Sequence, residues 1–535
     1  MFDLPLEERT AAKVLARGAE LYGERPFVEF QGEVVSYRSA NRRANRVANA
    51  LAGLGVGKGT RVGILLSNRP EYLDLWFGLA SIGAIQVPIN TAYHAPQIRH
   101  VLSRGELPVI VVERALADEL VSALADSGCR HLVILDGPPG AGASTAIPEH
   151  RYQDLLAAAD DAAPPAVDVG GADISAIMNT SGTTGPSKGV LLPHGQQYWL
   201  ARSMAMAMKL TGDDVFYNFF PMFHNTAQAM ITLPVMLTGG RMLLRDRFSL
   251  SSFWNDIRTH GVTAFYFIGE ILRLIVTGTS ERDANGHRLR IGWGIGGAPR
   301  DYDEFEARFG VRLGTCYGST EGNVPLFRAL DARGASVGRP LPEFDVRIAD
   351  AFDRLLPAGQ IGEILVRSRE PFTLMAGYDG NPVATTEVMR NQWFHSGDAG
   401  FTDAAGDFFF VGRIRDVIRV RGENVSALEV EEAVAAFPGV LEVAAIPVPA
   451  EIGGDDIKVA VVAADAAAFD CAELIQHCVR LLPKFSVPRY VELVAALPKT
   501  ATNKVMKHVL RAAAVTPATW DRQSADADGT ARKCV

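Results

Sequence analysis

Cysteine is scarce in this sequence and follows no metal-binding spacing. The 535 residues include five cysteines, and no two of them form a CxxC pair. The five are Cys129, Cys316, Cys471, Cys478 and Cys534. Scattered cysteines of this kind argue against a zinc site and against a disulfide framework, and they suit a reducing compartment. We therefore expect a cytoplasmic location.

Long apolar segments are also missing. No run of about 18 apolar residues is free of charges and turn signals, so no membrane-spanning helix is predicted. The first nine residues carry Asp3, Glu7 and Glu8, where a secretory leader needs a basic start and an apolar run. The sequence thus predicts neither a leader peptide nor a membrane span.

An excess of basic residues is absent as well. The formal net charge is −8, which favours solubility and gives no indication of a nucleic-acid partner. One small basic cluster could still meet phosphate groups locally, and it consists of Arg413, Arg415, Arg419 and Arg421.

The chain has the composition of a globular protein and the length of several domains. Hydrophobic residues make up 48% of it and charged residues 21%. A single hydrophobic core stops growing at roughly 250–300 residues, so two or more domains are expected.

Helical and strand patterns alternate over most of the first 270 residues. Such a strand–helix rhythm predicts an α/β fold with doubly wound sheets. The predicted strands are 61–66, 84–87, 132–135, 176–179 and 264–268, the predicted helices are 39–54 and 72–82, and 137–146 is predicted to be a surface loop.

The pattern changes near Gly412. Two predicted antiparallel strands, 363–367 and 407–411, form a small β-subdomain at the end of the large N-terminal domain. A small, mobile α+β C-terminal domain then follows. Its predicted elements are helices 427–436 and 472–481 and strands 441–446 and 458–463. We predict domains at 1–414 and 415–515, with a disordered tail at 516–535.

One ten-residue segment carries the strongest chemical signal. Thr180–Gly189 follows a predicted buried strand and contains three glycines, five hydroxyl residues and Lys188. Glycine lets backbone N–H groups close around phosphate oxygens, while hydroxyls and lysine add donors and charge. The spacing is not that of the Walker loop. A flexible Ser/Thr/Gly linker is the alternative interpretation.

Two other motifs point to different enzymes and are set aside. Gly292–Gly297 fits the dinucleotide pattern G-x-G-x-x-G, but the Ala298-Pro299 that follows it suits a different loop. Gly334–Gly338 fits the hydrolase pattern G-x-S-x-G, which requires a helix next, and two prolines follow within four residues instead.

Further motifs occur along the chain in a recognisable order. Together with Thr180–Gly189 they resemble the adenylate-forming superfamily of acyl-CoA synthetases, luciferases and peptide-synthetase adenylation domains, over about residues 10–512. These motifs are Phe220–Asn225, Gly294–Pro299, Tyr317–Glu321, Trp393–Asp398, Gly412-Arg413, Arg421–Val425 and Pro498–Lys504.

The resemblance assigns phosphate and magnesium chemistry to two loops. Glu321 is the implied Mg²⁺ ligand, and Thr320 is expected to hydrogen-bond a phosphate or the substrate carboxylate. A solvated turn residue is the alternative for Glu321, although the flanking glycines favour a tight loop. The implied phosphate-binding residues of the first loop are Thr180, Ser181, Gly182, Thr183, Thr184 and Lys188, and Gly318 and Ser319 are the implied cofactor-binding residues of the second loop.

The resemblance also implies how the nucleoside is held. Asp398 is expected to accept hydrogen bonds from both ribose hydroxyls, and Arg413 to reach the ribose or a phosphate. Adenine is expected to lie against Gly296, Gly297 and Ala298 with Tyr317 stacked on it.

The remaining implied roles concern acyl transfer. Lys504 would bridge the substrate carboxylate and the α-phosphate, although the family usually has glycine where this chain has Asn503. A small-domain rotation about Arg415 would bring Gly422 to the pantetheine of coenzyme A. His224 would gate or orient the acyl group. A solvated lysine and a buried, hydrogen-bonded histidine are the alternatives for Lys504 and His224.

The expected activity is acyl-CoA formation from a carboxylic acid, with ATP, Mg²⁺ and coenzyme A. Local resemblances to fatty-acid transport, very-long-chain and carnitine-CoA ligase-like enzymes favour a medium-to-large hydrophobic acid: fatty, steroidal, terpenoid or alicyclic. The alternatives are an enzyme of one half-reaction, one that loads a carrier protein, and a degenerate nucleotide-binding protein. The resemblance also allows a homodimer.

Overall fold

The computed structural model describes residues 3–124, 127–137, 147–179, 188–330, 332, 334–414, 418–420, 423–450, 455–499 and 505–524. Within this part of the chain, contacts define two compact units. The first is drawn from residues 1–180, 186–345 and 367–394, and the second from residues 346–366 and 395–535. The predicted domain limits of 1–414 and 415–515 stay a prediction.

The strands account for most of the framework. They are β1 (Pro26–Phe30), β2 (Glu33–Ser36), β3 (Arg61–Leu65), β4 (Ile85–Pro88), β5 (Val109–Glu113), β6 (His131–Leu135), β7 (Glu149–Arg151), β8 (Ile174–Asn179), β9 (Gly189–Pro193), β10 (Val215–Asn218), β11 (Arg241–Leu244), β12 (Ala264–Ile268), β13 (Ile291–Ile295), β14 (Arg312–Ser319), β15 (Asn323–Phe327), β16 (Arg339–Pro340), β17 (Phe344–Ala349), β18 (Gly362–Ser368), β19 (Gly377–Tyr378), β20 (Phe394–Thr402), β21 (Phe408–Arg413), β22 (Ile418–Val420), β23 (Glu423–Val425), β24 (Val440–Pro449), β25 (Asp455–Ala463), β26 (Tyr490–Leu493) and β27 (Trp520–Asp521).

The helices connect and cover these strands. They are α1 (Ala11–Tyr22), α2 (Tyr37–Gly53), α3 (Pro70–Ser81), α4 (Ala95–Leu102), α5 (Ala117–Val121), α6 (Tyr152–Ala157), α7 (His194–Ala207), α8 (Leu233–Thr238), α9 (Leu250–His260), α10 (Gly269–Gly278), α11 (Pro299–Phe309), α12 (Pro382–Val388), α13 (Ala427–Ala435), α14 (Cys471–Leu481) and α15 (Lys507–Ala513). A π-helix spans Thr226–Thr232, and short 3-10 turns lie at Leu6–Glu8, Arg114–Leu116, Arg390–Gln392 and Lys484–Ser486.

Two large sheets form the first unit. One has the order β19-β9-β8-β4-β3-β5-β6-β7 and the other β16-β15-β14-β13-β12-β10-β11-β1-β2. Strands β3, β5 and β6 pair in parallel, as do β12, β13 and β14. The central β5 reads Val-Ile-Val-Val because a parallel strand covered on both faces needs apolar side chains throughout.

A shared apolar core joins the two sheets of the first unit. Side chains from both sheets and from α2, α3, α7 and α8 form one buried cluster, which includes Tyr37, Trp76, Val111, Met204 and Tyr266. The helices begin and end where local chemistry dictates. Ser36 caps α2 by accepting from the Ser39 amide, and Gly310 ends α11 in the left-handed conformation.

The second unit contains a β-subdomain and an α+β core. The subdomain sheet has the order β17-β18-β20-β21, and the core sheet has the order β24-β25-β26-β27. Helices α13 and α14 pack on the core sheet through residues such as Val430, Leu474 and Val459. Ser426 caps α13 and Asp470 caps α14.

The sequence predicted most of these elements closely. Each predicted strand and helix has a counterpart whose ends differ by a few residues at most, and the predicted α/β fold class with a small C-terminal domain is confirmed. The predicted loop at 137–146 lies outside the described residues beyond Gly137. Trp520–Asp521 forms β27 where the disordered tail was predicted to begin, because Arg489 binds both Asp456 and Asp521. Residues from 525 onward are not described.

The described residues also bear on membrane spans and on the state of the cysteines. Among the described residues, no helix is long and apolar enough to cross a membrane. Cys129, Cys316 and Cys478 are free thiols, whereas Cys471 is disulfide-bonded. A sequence pattern cannot reveal such a bond because it depends on which cysteines meet in the fold.

The structure supports neither the dinucleotide-binding interpretation of Gly292–Gly297 nor the hydrolase interpretation of Gly334–Gly338. Gly292 and Gly294 lie inside β13, where an added Cβ would approach Phe265 and Phe267 to within about 2.5 Å. They are therefore packing glycines of a crowded sheet. The Gly334–Gly338 segment is followed by strand β16 and not by a helix.

Candidate active site

The segment predicted to bind phosphate connects two paired strands. Thr180, Ser181, Gly182, Thr183 and Thr184 lie outside the described residues, but both ends of the loop are described. Asn179 of β8 pairs with Gly189 of β9, so the chain leaves and re-enters the sheet at one point. This antiparallel pairing fixes where the loop begins and ends.

Polar contacts hold each end of the loop in place. Asn179 Nδ2 donates to the carbonyl oxygen of Pro88 at 2.9 Å, and Arg104 Nη2 donates to Asn179 Oδ1 at 2.5 Å. The Asp379 amide donates to the Gly189 carbonyl oxygen at 2.8 Å. Arg61 binds the Asp379 carboxylate through both terminal nitrogens, at 2.8 and 3.0 Å. A bidentate, partly buried pair of this kind makes a firm anchor for the strand end.

Lys188, the last polar residue of the loop, lies over an aromatic ring. Its Nζ is 4.6 Å from the centroid of the Tyr378 ring. The Tyr378 hydroxyl donates to Glu321 Oε1 at 3.2 Å. The predicted phosphate-binding lysine and the predicted Mg²⁺ ligand thus contact the same tyrosine.

Glu321 sits in a tight turn between β14 and β15. The turn needs glycine at Gly318, since a Cβ there would lie 2.2 Å from the Asn323 carbonyl oxygen. Ser319 Oγ accepts from the Gly322 amide at 2.9 Å, and a Cβ on Gly322 would lie 2.6 Å from the Phe394 ring. The sequence had favoured a tight functional loop here, and the geometry is that of a tight turn.

Hydrogen bonds from buried side-chain amides fix the backbone at Thr320 and its neighbours. Gln196 of α7, which is completely buried, donates to the Thr320 carbonyl oxygen at 2.7 Å. Asn323, with a φ of 60°, donates to the carbonyl oxygens of Gln196 and Thr373 at 3.3 and 2.8 Å. The Met375 amide donates to the Glu321 carbonyl oxygen at 3.0 Å. The Thr320 and Glu321 backbone is therefore preorganised.

The segment predicted to bind adenine exposes its backbone to solvent. Gly296 and Gly297 are exposed, with φ values of 75° and 94°, and Ala298 precedes α11. The Tyr302 hydroxyl donates to the Gly296 carbonyl oxygen at 2.7 Å. Burial raises the pKa of Tyr302 to about 12, so the hydroxyl keeps its proton at neutral pH. Tyr317 is 8% exposed, so a stacked adenine could reach only a small part of it.

His224 precedes a π-helix, a rare element that is often found at functional sites. It is half-buried, with its ring 6.3 Å from that of Phe223. The π-helix rests on buried amides. Gln197 donates to Asn225 Oδ1 at 3.1 Å, and Gln228 exchanges hydrogen bonds with Gln86 at 2.8 and 3.2 Å. This network fixes the backbone on either side of His224.

The predicted ribose residues lie together in the second unit. Arg413 Nε is 3.0 Å from Asp398 Oδ1, and Arg413 Nη1 donates to the Ser396 carbonyl oxygen at 3.1 Å. Asp398 is 3% exposed, whereas the Arg413 side chain is 47% exposed. The carboxylate is therefore held by the protein, while the guanidinium faces solvent.

Glu363 organises the turn that carries Asp398. Its Oε1 accepts from the Gly397 amide at 2.9 Å, and its Oε2 lies 2.9 Å from His395 Nδ1. Asp353 Oδ1 lies 3.8 Å from the other His395 nitrogen. Ser396 Oγ donates to the Ile364 carbonyl oxygen at 2.6 Å. The whole His-Ser-Gly-Asp turn is thus attached to β18.

Sequence reasoning missed three residues that support the site: Tyr378, Gln196 and Glu363. None lies in a motif that carries chemistry by itself, and each acts through a contact distant in sequence, so no local signal could have found them. Other predicted residues lie outside the described residues: Lys504, Asn503, Arg415, Arg421 and Gly422.

The donor groups fit a nucleotide-bound magnesium ion. Among the described residues, no cluster of three His, Cys, Asp or Glu side chains could hold a metal ion by itself. Mg²⁺ in nucleotide sites is held by one or two carboxylates together with substrate phosphates and waters. The single carboxylate of Glu321 is consistent with that arrangement.

Comparison with known proteins places the chain among enzymes of one kind. The sequence model described as "AMP-binding enzyme" matches residues 15–379, and "AMP-binding enzyme C-terminal domain" matches residues 429–504. The crotonobetaine/carnitine–CoA ligase of Salmonella agona (strain SL483) is 30% identical over 509 residues, covering 92% of this chain and 97% of that protein.

Comparison with solved structures also finds similar proteins. ATP-bound MatB from Rhodopseudomonas palustris superimposes with a TM-score of 0.84 at 27% identity, covering 94% of this chain and 98% of that one. The anthranilate CoA ligase AuaEII in complex with anthranoyl-AMP has a TM-score of 0.86 at 25% identity, covering 96% and 98%.

Proposed function

Because the chain belongs to the AMP-binding enzyme family, we propose that it is a complete ATP-dependent acyl-CoA ligase acting on a medium-to-large hydrophobic carboxylic acid. The observation that carries the proposal is the arrangement of Lys188 and Glu321 on the ring and the hydroxyl of Tyr378, 4.6 and 3.2 Å away. These are the two charged groups that phosphate chemistry requires, one for the phosphate oxygens and one for their counter-ion.

The first half-reaction makes the acid a good electrophile. A carboxylate oxygen of the acid attacks the α-phosphorus of ATP, forming an O–P bond. The bond between the α-phosphorus and the bridging oxygen breaks, which releases pyrophosphate and leaves acyl-AMP. Mg²⁺ bound with ATP would neutralise charge on the phosphates. Lys188, the Thr320 hydroxyl and Glu321 act on the phosphate groups and their counter-ion, and Lys504 acts on the attacking carboxylate and the α-phosphate.

The second half-reaction transfers the acyl group. The sulfur of coenzyme A attacks the acyl carbon, the bond from that carbon to the AMP oxygen breaks, and the thiol proton is lost to solvent. In this proposal Asp398 and Arg413 hold the ribose, Gly422 leaves room for pantetheine, and His224 orients the acyl group. The preorganised segments around Thr320 and His224 support these assignments.

The proposal of a hydrophobic substrate is based on aromatic residues near His224. Phe219 and Phe220 stack at 5.0 Å, and Phe220 meets Tyr266 edge-on at 5.5 Å. Phe220 and Phe223 are only partly buried, so they can contribute apolar surface to an acyl pocket. The relatives named above act on different acids, so the panel of test acids must be broad. A cytoplasmic location and a homodimer stay predictions.

Carboxylate-dependent ATP–pyrophosphate exchange tests the function. The panel includes fatty, aromatic, alicyclic and steroidal acids together with carnitine and crotonobetaine, and Lys504→Ala is assayed beside the wild type. We expect exchange with a hydrophobic acid in the wild type and its loss in the variant. If the wild type exchanges with no acid but transfers the acyl group from synthetic acyl-adenylates to coenzyme A, the enzyme performs only the second half-reaction. If it does neither, the proposed function is wrong.

A further inference from the structure

Tyr378 contacts both Lys188 and Glu321, yet it lies in none of the motifs on which the resemblance to the family was based. Its ring lies 4.6 Å below Lys188 Nζ, and its hydroxyl donates to Glu321 Oε1 at 3.2 Å. Only 8% of the residue is exposed. The face of the Tyr378 ring therefore contacts the Lys188 cation, and its hydroxyl contacts the Glu321 carboxylate.

The backbone around Tyr378 leaves the ring little freedom. Strand β19 pairs with β9, with Tyr378 opposite Val190. The Tyr378 amide donates to Thr385 Oγ1 at 2.9 Å, and the next residue, Asp379, is bound by Arg61 through two hydrogen bonds. These contacts fix the tyrosine to the same sheet from which the phosphate loop emerges.

The two contacts of Tyr378 serve different charges. The face of an aromatic ring attracts an ammonium group, which limits the conformations of the long Lys188 side chain. A hydroxyl that donates to a carboxylate limits the rotation of the carboxylate plane. Here the Tyr378 hydroxyl bonds Oε1 of Glu321 and does not bond Oε2. A direct Lys188–Glu321 ion pair would neutralise both groups, whereas the tyrosine positions each of them for a nucleotide.

On the basis of the proposed function, we propose that Tyr378 is a positioning residue for adenylation. It acts through Glu321 on the binding of ATP together with Mg²⁺, and through Lys188 on the binding of ATP whether or not Mg²⁺ is present. The two contacts can be separated by substitution. Tyr378→Phe removes only the hydroxyl, and Tyr378→Leu removes the hydroxyl and the ring.

The experiment measures ATP affinity by calorimetry, without any acid, in excess Mg²⁺ and in EDTA. Tyr37→Phe is the matched control, because it also deletes a buried hydroxyl, one that lies within hydrogen-bond distance of two carbonyl oxygens in the core, at 2.9 and 2.8 Å. In Mg²⁺ we expect Tyr378→Phe to bind ATP about 10-fold more weakly than the wild type, as for a lost bond to a charged group. In EDTA the two should bind alike. We expect Tyr378→Leu to lose about a further 5-fold under both conditions.

Coupling to Glu321 provides a second readout. In a Glu321→Gln background, Tyr378→Phe should change ATP affinity in Mg²⁺ by less than about 2-fold if the hydroxyl acts through that carboxylate. Equal losses for Tyr378→Phe in Mg²⁺ and in EDTA, or no loss in either, would overturn the proposal. A loss of the same size in Tyr37→Phe would also overturn it, because the effect would then be one of general stability.

The failure of this inference differs from the failure of the proposed function. If wild-type protein binds ATP and catalyses exchange while Tyr378→Phe behaves like it, only the role of Tyr378 is wrong. If wild-type protein neither binds ATP nor catalyses either half-reaction, the proposed function is wrong and the inference falls with it.

Discussion

Arg413 Nε lies 3.0 Å from Asp398 Oδ1, so the two residues expected to bind the ribose of ATP are paired with each other. The pair is uneven, since Asp398 is 3% exposed and the Arg413 side chain is 47% exposed. A buried carboxylate is costly unless charge or hydrogen bonds satisfy it. The Arg413 guanidinium supplies such a charge to Asp398.

We expect Asp398→Asn to weaken ATP binding. The amide keeps the shape of the side chain but loses the charge that strengthens bonds to two ribose hydroxyls and to Arg413. The KM for ATP in pyrophosphate exchange should rise by about 10-fold or more, and the KM for the acid should stay within about 2-fold. An unchanged KM for ATP would show that Asp398 does not contribute to ATP binding.

Glu363→Gln should have a milder effect of the same kind. The variant weakens the bonds to the Gly397 amide and to His395, so the turn carrying Asp398 loses rigidity. We expect the KM for ATP to rise by about 3- to 10-fold, with a smaller change in kcat. The matched control is Glu343→Gln, which weakens a 3.0 Å ion pair with Arg202 outside the turn and should leave the KM unchanged. Equal effects in the two variants would contradict the positioning role.

Gly318→Ala should abolish activity for a steric reason. Its Cβ would lie 2.2 Å from the Asn323 carbonyl oxygen and 2.6 Å from Val324 Cα, so the Glu321 turn could not keep its form. We expect exchange to fall more than about 100-fold and stability to fall by about 2–3 kcal/mol. Gly310→Ala is the control, because φ is 68° there but no atom lies within 4 Å. It should cost about 1 kcal/mol and leave activity intact.

His194 should make the protein sensitive to mild acid. Burial lowers the pKa of His194 to about 4, and neither ring nitrogen has a hydrogen-bond partner among the described residues. Above pH 6.5 both the folded and the unfolded states hold a neutral imidazole. Between pH 6.5 and 4 only the unfolded state takes up the proton, so stability falls with pH, by about 2 kcal/mol at pH 5.

Chemical unfolding at pH 7 and pH 5 checks this prediction. His194→Gln carries no titrating group at this position, so its free energy of unfolding should fall less than that of the wild type between the two pH values. Parallel losses in the two proteins would show that other groups dominate acid sensitivity.

Much of the fold could be predicted because its signals are local. The apolar run at β5 and the helix pattern at α2 are set by neighbouring residues, and their observed ends differ little from the predicted ones. The start of β27 shows the limit, since it depends on an ion pair between Asp521 of β27 and Arg489, the residue before β26.

The sequence by itself determined the family and the chemistry, because Lys188, Glu321, Asp398 and the glycines of their loops are recognisable by residue type and spacing. Only the tertiary structure decided what holds them. Tyr378 reaches Glu321, Gln196 reaches Thr320, and Glu363 reaches Gly397 across separations of 57, 124 and 34 residues. Hydrogen bonds and ring contacts act over a few ångströms in space whatever the distance along the chain, so residues that position a site leave no pattern in the sequence around them.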